Sequence, residues 1–331
     1  MTAPTIYKSS DPGAPAISSF NNAVYEVLRA CLIDGYPGKT AAGWSAVYDE
    51  WSATGIATFK NAADSGILGI VKESSTSYGT SLFIADAMVD ATHAVNARSG
   101  RVVVSDLPNL PSHGAQTRML RAGMHQHWCV IGNEYFFIVF FASSDSVLYQ
   151  NSSSFGWTDG NVLAAGSLKS LRGQGGISDA ALGNFWLIGG YPGNNQSSTT
   201  LERDRFTPLY DETGAPFGSN VSGYIHPLST VNFSYGYQVS EPLVNISFRQ
   251  LEIFTVASSS LIQGELRQVA LMPMLLHNEW LDGSYARTIY GPMFAPDLLT
   301  TSFALNGKNC VMAPLATSDR IVISLDAADW Q

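Results

Sequence analysis

His125 and His127 stand two residues apart in the run HQHWCVIG, and a strand there would turn both imidazoles to one face. With that spacing two histidines and a distant carboxylate converge on a metal inside β-barrels. A third ligand has no motif, since His113, Glu134 and His226 qualify only by residue type. Trp128 and Cys129 follow at once, so the histidines read better as polar residues beside a core, and no metal or other cofactor is expected. Two acidic pairs, Asp49–Glu50 and Glu202 with Asp204, raise glycan hydrolysis, which needs two carboxyl groups held across a sugar ring. Adjacent strand residues point to opposite faces, so closeness in sequence makes no catalytic pair, and solvated surface is the plainer account. The chain carries no GxSxG, HExxH, P-loop or dinucleotide fingerprint and is read as a non-enzyme. Trp157 in SSSFGWTDG and Tyr191 in GGYPGNN are loop aromatics of the kind that stack on sugars or anchor an interface. Packing over a core edge is their competing role.

The elements that must position these residues are mostly strands. One helix is legible over residues 21–34, where Val24, Val27, Leu28, Cys31 and Leu32 make one apolar stripe of period 3.6. Asn21 and Asn22 are placed to cap its start through their amide oxygens. Gly35 is placed to end it in a left-handed conformation, with Pro37 beyond as a stop. After Trp44 the runs VYDEW, IATFK, ILGIVKE and SLFIADAM read as a meander with an Asn- and Asp-rich turn at NAADSG. Residues 89–99 read as helix or irregular loop. The strongest hairpin is HWCVI with YFFIVFFA, joined through Gly132, Asn133 and Glu134. Its second strand is apolar throughout, so both faces should be buried and the strand central. NFWLIGGY, VNFSYGYQV, VNISFRQLEIFTV, ELRQVALMPMLLH and the SFALNGKNCVMAPL and RIVISLDA runs supply further strands, while 143–180 (with short strands SVLYQ and VLAAG) and 192–219 read as polar loops. The fold class is therefore mainly β, an antiparallel sandwich-like architecture with one N-terminal helix packed on a sheet. Residues 1–16 read as an extended arm, 17–100 as a helix-bearing β subdomain and 101–331 as a larger β domain, the boundary near 100 being open to merging.

Composition narrows the function classes. Apolar residues make up 45% of the chain and charged residues only 14%, against about 25% charged in an average soluble protein. Such uncharged polar surfaces suit proteins packed against neighbours and also secreted β-structures. The net charge of -9 has no basic stripe within it, which argues against nucleic acid and against a membrane surface as partner. Cys31, Cys129 and Cys310 lie far apart, form no CxxC pair and read as buried free thiols of a chain made in a reducing cytoplasm. No apolar run reaches the length of a bilayer span, and MTAPTIYKSSDPGAP lacks a signal peptide's apolar stretch.

TIYKSSDPGAPAIS, followed by a helix ending in LRACLIDGYPGKTAAGW, resembles the opening of a group of tailed-bacteriophage virion structural proteins. The likeness extends through ATFKNAADSGILGIVKES and IADAMVDATHAV, and more loosely to YFFIVFFA, SFGWTDG and LMPMLLH. Pro37 and Met274 stand where that family tends to have glycine, which touches local turn geometry. The resemblance implies a non-enzymatic virion component, made in the bacterial cytoplasm and placed on the head, at the head–tail junction or on the tail. It implies other virion proteins, such as major capsid or tail proteins, and further copies of the chain as partners. No catalytic residues carry over. The alternative function is a tail or surface adhesin that holds host-cell glycan through Trp157 and Tyr191.

Overall fold

The computed structural model describes residues 2–73, 78–99, 102–104, 107, 118–121, 126–142, 162–167, 169–170, 185–189, 206–208, 222–226, 248–256, 266–277, 299, 302–305, 307–314 and 320–330. Among the described residues the protein is mainly β, with antiparallel sheets and a single α-helix, in a sandwich-like arrangement. The first sheet has the order β1 (Thr5–Lys8), β11 (His127–Gly132), β12 (Phe136–Ala142), β13 (Val162–Ser167), β15 (Phe185–Gly189) and β16 (Phe206–Pro208). The second has the order β2 (Ser45–Glu50), β3 (Ile56–Lys60), β4 (Ile67–Lys72), β5 (Tyr78–Ala85), β8 (Ala97–Ser99) and β9 (Val102–Val104), and β10 (Arg118–Arg121) also pairs with β5. A short ribbon of β6 (Ala87–Met88) and β7 (Ala94–Val95) stands apart from both. The third sheet has the order β17 (Ser222–His226), β18 (Phe248–Val256), β19 (Leu266–His277), β22 (Arg320–Ser324), β21 (Lys308–Pro314) and β20 (Phe303–Leu305), with β14 (Lys169–Ser170) beside β19.

Strand alternation explains how the first two sheets meet. Tyr7, Trp128, Val130, Phe137, Val139, Phe141, Leu163, Ala165, Phe185 and Leu187 share one face of the first sheet. Ala57, Phe59, Leu68, Ile70, Leu82 and Ile84 share one face of the second, and the two faces join in one buried core. β12 lies between β11 and β13, and Phe136 to Phe141 are buried at every position. An all-apolar strand demands that arrangement, because each face needs its own cover. On the face turned away from the second sheet, the Phe136 ring lies 6.0 Å from that of Trp330. The core includes residues on both sides of residue 100, so the two β parts read from the sequence share one interior.

The helix α1 (Ala23–Arg29) continues into a π-helical turn, Ala30–Asp34, that Gly35 closes by donating its N–H to the Ala30 carbonyl at 2.8 Å. Val24, Val27, Leu28, Cys31 and Leu32 are all fully buried, as the stripe demands. The chain then returns to satisfy the helix end. Ala42 N–H donates to the Cys31 carbonyl at 2.9 Å, and Gly43 and Trp44 both donate to Leu32 at 3.1 and 3.0 Å. Two details differ from the sequence reading. Asn22 makes no side-chain cap, because its Oδ1 accepts from Trp51 Nε1 at 3.2 Å and its Nδ2 donates to Ser18 Oγ. Gly35 has φ 72° and ψ 178°, an extended positive-φ region open essentially to glycine alone, rather than the left-handed helical region.

Residues 89–93 are irregular, one of the two readings offered for 89–99, whereas 94–99 differ by forming β7 and β8. The Asp90 carboxylate takes the Thr92 and His93 amides at 2.7 and 2.8 Å, a local turn that competes with helix by using the same backbone donors. β16 falls inside the stretch read as a polar loop, and β17 was not singled out by pattern. Within β19, Pro273 sits where the register against β18 slips between Leu275 and Leu271. A residue without an N–H is tolerated at such a bulge. The runs SVLYQ and VNFSYGYQV lie outside the described residues.

Candidate functional site

The extended arm read over residues 1–16 is, from Thr2 onward, docked on its own chain. β1 pairs antiparallel with β11 as the edge strand of the first sheet, from Thr5 opposite Gly132 to Lys8 opposite Cys129. Tyr7 is fully buried, and its hydroxyl donates to the Thr40 carbonyl at 2.7 Å. Burial, first, pushes the Tyr7 phenol well above its ordinary range, so it stays neutral. The turn Tyr36–Lys39 is closed by mutual backbone hydrogen bonds of 3.0 and 2.8 Å, and it aims two polar groups at the strand. Lys39 Nζ donates to the Ile6 carbonyl at 2.7 Å, and Tyr36 hydroxyl donates to Asp11 Oδ2 at 2.8 Å. The same Asp11 carboxylate accepts the Lys8 N–H at 2.9 Å and lies 3.7 Å from Lys39 Nζ. Ser9 and Trp128 exchange a further pair of bonds, Ser9 N–H to the Trp128 carbonyl at 2.9 Å and Trp128 N–H to Ser9 Oγ at 3.2 Å. Backbone groups on an edge strand are a template for another chain. Here Ile6 C=O and Lys8 N–H are already engaged, which holds β1 in place and blunts the edge. Past β1, Pro12, Gly13 and Ala16 are exposed, so this stretch presents a surface beside the docked strand.

Asn133 is a second junction that pattern reading treated only as a turn residue. It is 3% exposed. Its Nδ2 donates to the Thr2 and Trp330 carbonyls, each at 3.1 Å, while its Oδ1 accepts the Tyr135 and Phe136 amides. Its own carbonyl accepts Trp44 Nε1 at 2.9 Å. One buried amide thus ties β1's lead-in, the residues after the helix and the end of the third sheet to the β11–β12 turn. The signal in the sequence was an asparagine between two apolar runs, which reports a turn but not its partners.

The residues first considered for chemistry fare unevenly. His127 opens β11, half-buried and opposite Ala142, and His125 lies outside the described residues, as does His113. Among the described residues, no three His, Cys, Asp or Glu side chains gather to hold a metal. Asp49 and Glu50 occupy successive positions of β2, and Asp49 is bound to Tyr25 hydroxyl and Arg29. That leaves Asp49 as a helix-to-sheet tie. Glu202, Asp204, Trp157 and Tyr191 lie outside the described residues. No helix among the described residues is long and apolar enough to cross a membrane. Comparison of the chain with protein-family models, with curated proteins and with solved structures found no match.

Proposed function

We propose that this protein is a non-enzymatic structural component of a tailed phage particle, decorating or joining capsid or tail assemblies. The observation that carries the reading is the opening, residues 5–44, whose virion-like sequence is spent on one construction. β1, α1 and the Tyr36–Lys39 turn interlock around the edge of the first sheet and leave Ser10, Pro12, Gly13 and Ala16 exposed beside it. A low charge content of 14% supports the same reading, since such surfaces suit packing against neighbours. The contact surface is then the exposed positions after β1, together with the parts of the polar segments 143–180 and 192–219 that lie outside β13, β14 and β16, and the β1 strand itself serves as its rigid foundation.

Immunogold electron microscopy of intact and disrupted particles tests the class of function. Label over the head makes the protein a decoration component, and label on the tail or its tip moves it to the adhesin class with Trp157 as the first residue to change. Absence of label from both preparations overturns the virion reading. The surface itself is tested with Pro12→Arg and Ala16→Glu together, which touch exposed positions and leave Tyr7 buried. The expected outcome is a normally folded protein that no longer joins particles, and normal incorporation removes this stretch from the contact.

A further inference from the structure

Val89 and Val95 are the large apolar side chains that stand exposed among the described residues, at 65% and 47%. Both lie on or beside the β6–β7 ribbon. Its register sets Ala87 opposite Val95 and Met88 opposite Ala94, and Val89 N–H donates to the His93 carbonyl at 2.9 Å. Alternation therefore divides the ribbon into two faces. Met88 and Ala94 pack down on the Phe83 cluster, while Ala87, Val89, His93 and Val95 face outward, all exposed. The base of the ribbon is tied down. Asp86 Oδ2 accepts from Asn96 Nδ2 at 3.2 Å, and Asn96 Oδ1 accepts from Nη2 of the buried Arg98 at 3.3 Å. At the tip the Asp90 carboxylate accepts the Thr92 and His93 amides.

The outermost strands of the two large sheets that share the core are guarded. Lys39 and Asp11 engage the backbone of β1, and β2 carries a register irregularity between Ala46 and Tyr48 together with Asp49 and Glu50. Bulges and charges of that kind keep an edge from pairing with another chain. β6 and β7 make a sheet of two strands, so each keeps one edge that no other strand occupies. Neither strand holds a proline, a charged residue or a register shift. An open edge beside an apolar face is what strand addition between chains uses.

Charge and size point to what covers this face. The flanking carboxylates of Asp86 and Asp90 are already engaged within the chain, so the face is matched by an uncharged apolar surface with an open edge. The same ribbon of a second copy supplies both, and a two-fold axis sets like edges antiparallel. Four outward residues fall far short of the roughly 20 a side of a stable interface. Such a contact is weak between free molecules and gains strength where copies are held side by side. We infer that the β6–β7 ribbon is a lateral contact between copies of this chain, pairing ribbon to ribbon across a two-fold axis. The inference rests on the assembly role proposed above for what holds the copies together.

The test is chemical cross-linking of the purified full chain with Val89→Cys or Val95→Cys, each introduced singly. Cys31, Cys129 and Cys310 are buried, and Ala53→Cys, exposed in the turn after β2, is the control. A short bismaleimide is added at a protein concentration of about 1 mM, close to what copies held side by side experience. Val95→Cys traps pairing through β7 and Val89→Cys traps pairing through β6. A dimer yield several-fold above the control from either position is the expected result, and yields equal to the control from both overturn the inference. Adding Val89→Asp to Val95→Cys, or Val95→Asp to Val89→Cys, should return the yield to the control, and an excess that survives overturns the ribbon face as its source. These readouts use purified protein, so they fail or succeed separately from particle labelling. On particles that carry the label, a ribbon cysteine that cross-links only to a different protein gives the face to that protein and likewise overturns the inference.

Discussion

The two faces of the second sheet show two ways of burying the same strands. On one face Ala57, Phe59, Leu68, Ile70, Leu82 and Ile84 enter a core built with α1 and inner-face residues of β1, β11, β12, β13 and β15. On the other, Ile56, Ile67, Phe83, Ala85 and Ala97 form a small cluster with Leu107, with Met88 and Ala94 of the β6–β7 ribbon packed against it. The first face is covered by elements that are themselves anchored by buried polar ties such as Asn133 and Asn61, whose Nδ2 donates to the Tyr135 carbonyl at 3.1 Å and to Ser167 Oγ at 2.7 Å. Among the described residues the second is covered by Leu107 and a two-stranded ribbon, a unit that has marginal stability alone. Val89 and Val95 of that ribbon are 65% and 47% exposed. The difference teaches that the meander's all-apolar pattern fixes burial on both sides, whereas the rigidity of each side depends on what lies over it.

The largest expected loss is on the deep side. Trp44 is 4% exposed, meets the Phe137 and Phe185 rings edge-on at 5.4 and 6.1 Å, and donates Nε1 to Asn133. Trp44→Ala should cost about 3–5 kcal/mol, read as a lower denaturant midpoint with the slope unchanged. An effect under about 1 kcal/mol would mean that the deep core is no more tightly built than the shallow one.

The shallow side offers a sharper probe. Gly69 lies under Phe83, and a Cβ there would stand 1.9 Å from two atoms of that ring. Gly69→Ala should therefore cost about 1–3 kcal/mol by overpacking, unless the ring moves toward the ribbon. Phe83→Leu relieves the same contact, so the double variant should be more stable than the sum of the two single changes predicts. Simple additivity would show that the ribbon side already yields, and that the cluster is softer than its burial implies.

Much of this contrast was legible beforehand. The alternation and β-branched runs located β2 to β5, β11, β12 and β15, and the apolar YFFIVFFA run placed β12 at the centre. The helix stripe was legible for the same reason: its period is local. What escaped were the pairings that depend on distant side chains. β1 was read only as part of an extended arm because Ile6 and Tyr7 stand among prolines and polar residues with little periodicity, and its partner strand lies more than a hundred residues away. The Asn22 amide looked like a cap because nothing local announces Trp51 as its partner. Arg98 sits in VNARSG, a stretch with no apolar period, and its burial follows only from the register of β8 on β5. The acidic pair Asp49–Glu50 was read as surface, and the tie from Asp49 to Tyr25 and Arg29 needed the helix to be packed before it could be seen.

Reactivity of the thiols extends the contrast to both ends of the chain. Burial raises the Cys31 thiol well above its ordinary range, with Cys129 next in effect. Cys310 is pushed up to about 11 by burial, then by Asp326 and Asp329. The thiolate is the reactive form, so Cys31 and Cys310 should resist alkylation at pH 8 in the native protein and react fully in denaturant. Mass spectrometry of timed samples checks this, and rapid native labelling of Cys31 would mean that the helix side of the deep core opens readily.

The smallest expected effect is at the tip of the ribbon, and it tests whether the shallow cover keeps its shape. Asp90 is held at about 2, from an ordinary 3.8, first by the Thr92 backbone N–H and then by the His93 imidazole, with the Thr92 hydroxyl and His93 N–H adding to it. A carboxyl whose folded pKa is lowered contributes stability above its unfolded pKa, and that contribution fades as pH falls toward the folded value. The window is therefore the acid side of pH 4 down to about 2, and the exposure of the group keeps the effect local. NMR titration should give an Asp90 midpoint near 2, with the Thr92 and His93 amide signals shifting together and the deep-core signals still. Asp90→Asn should remove the titration while keeping the turn, since an amide oxygen accepts the same two N–H groups. Asp90→Ala should lose both and raise amide exchange across β6 and β7 alone. A midpoint at the ordinary carboxylate value would mean that the turn is open in solution, and the cluster around Phe83 would then need its cover from elsewhere.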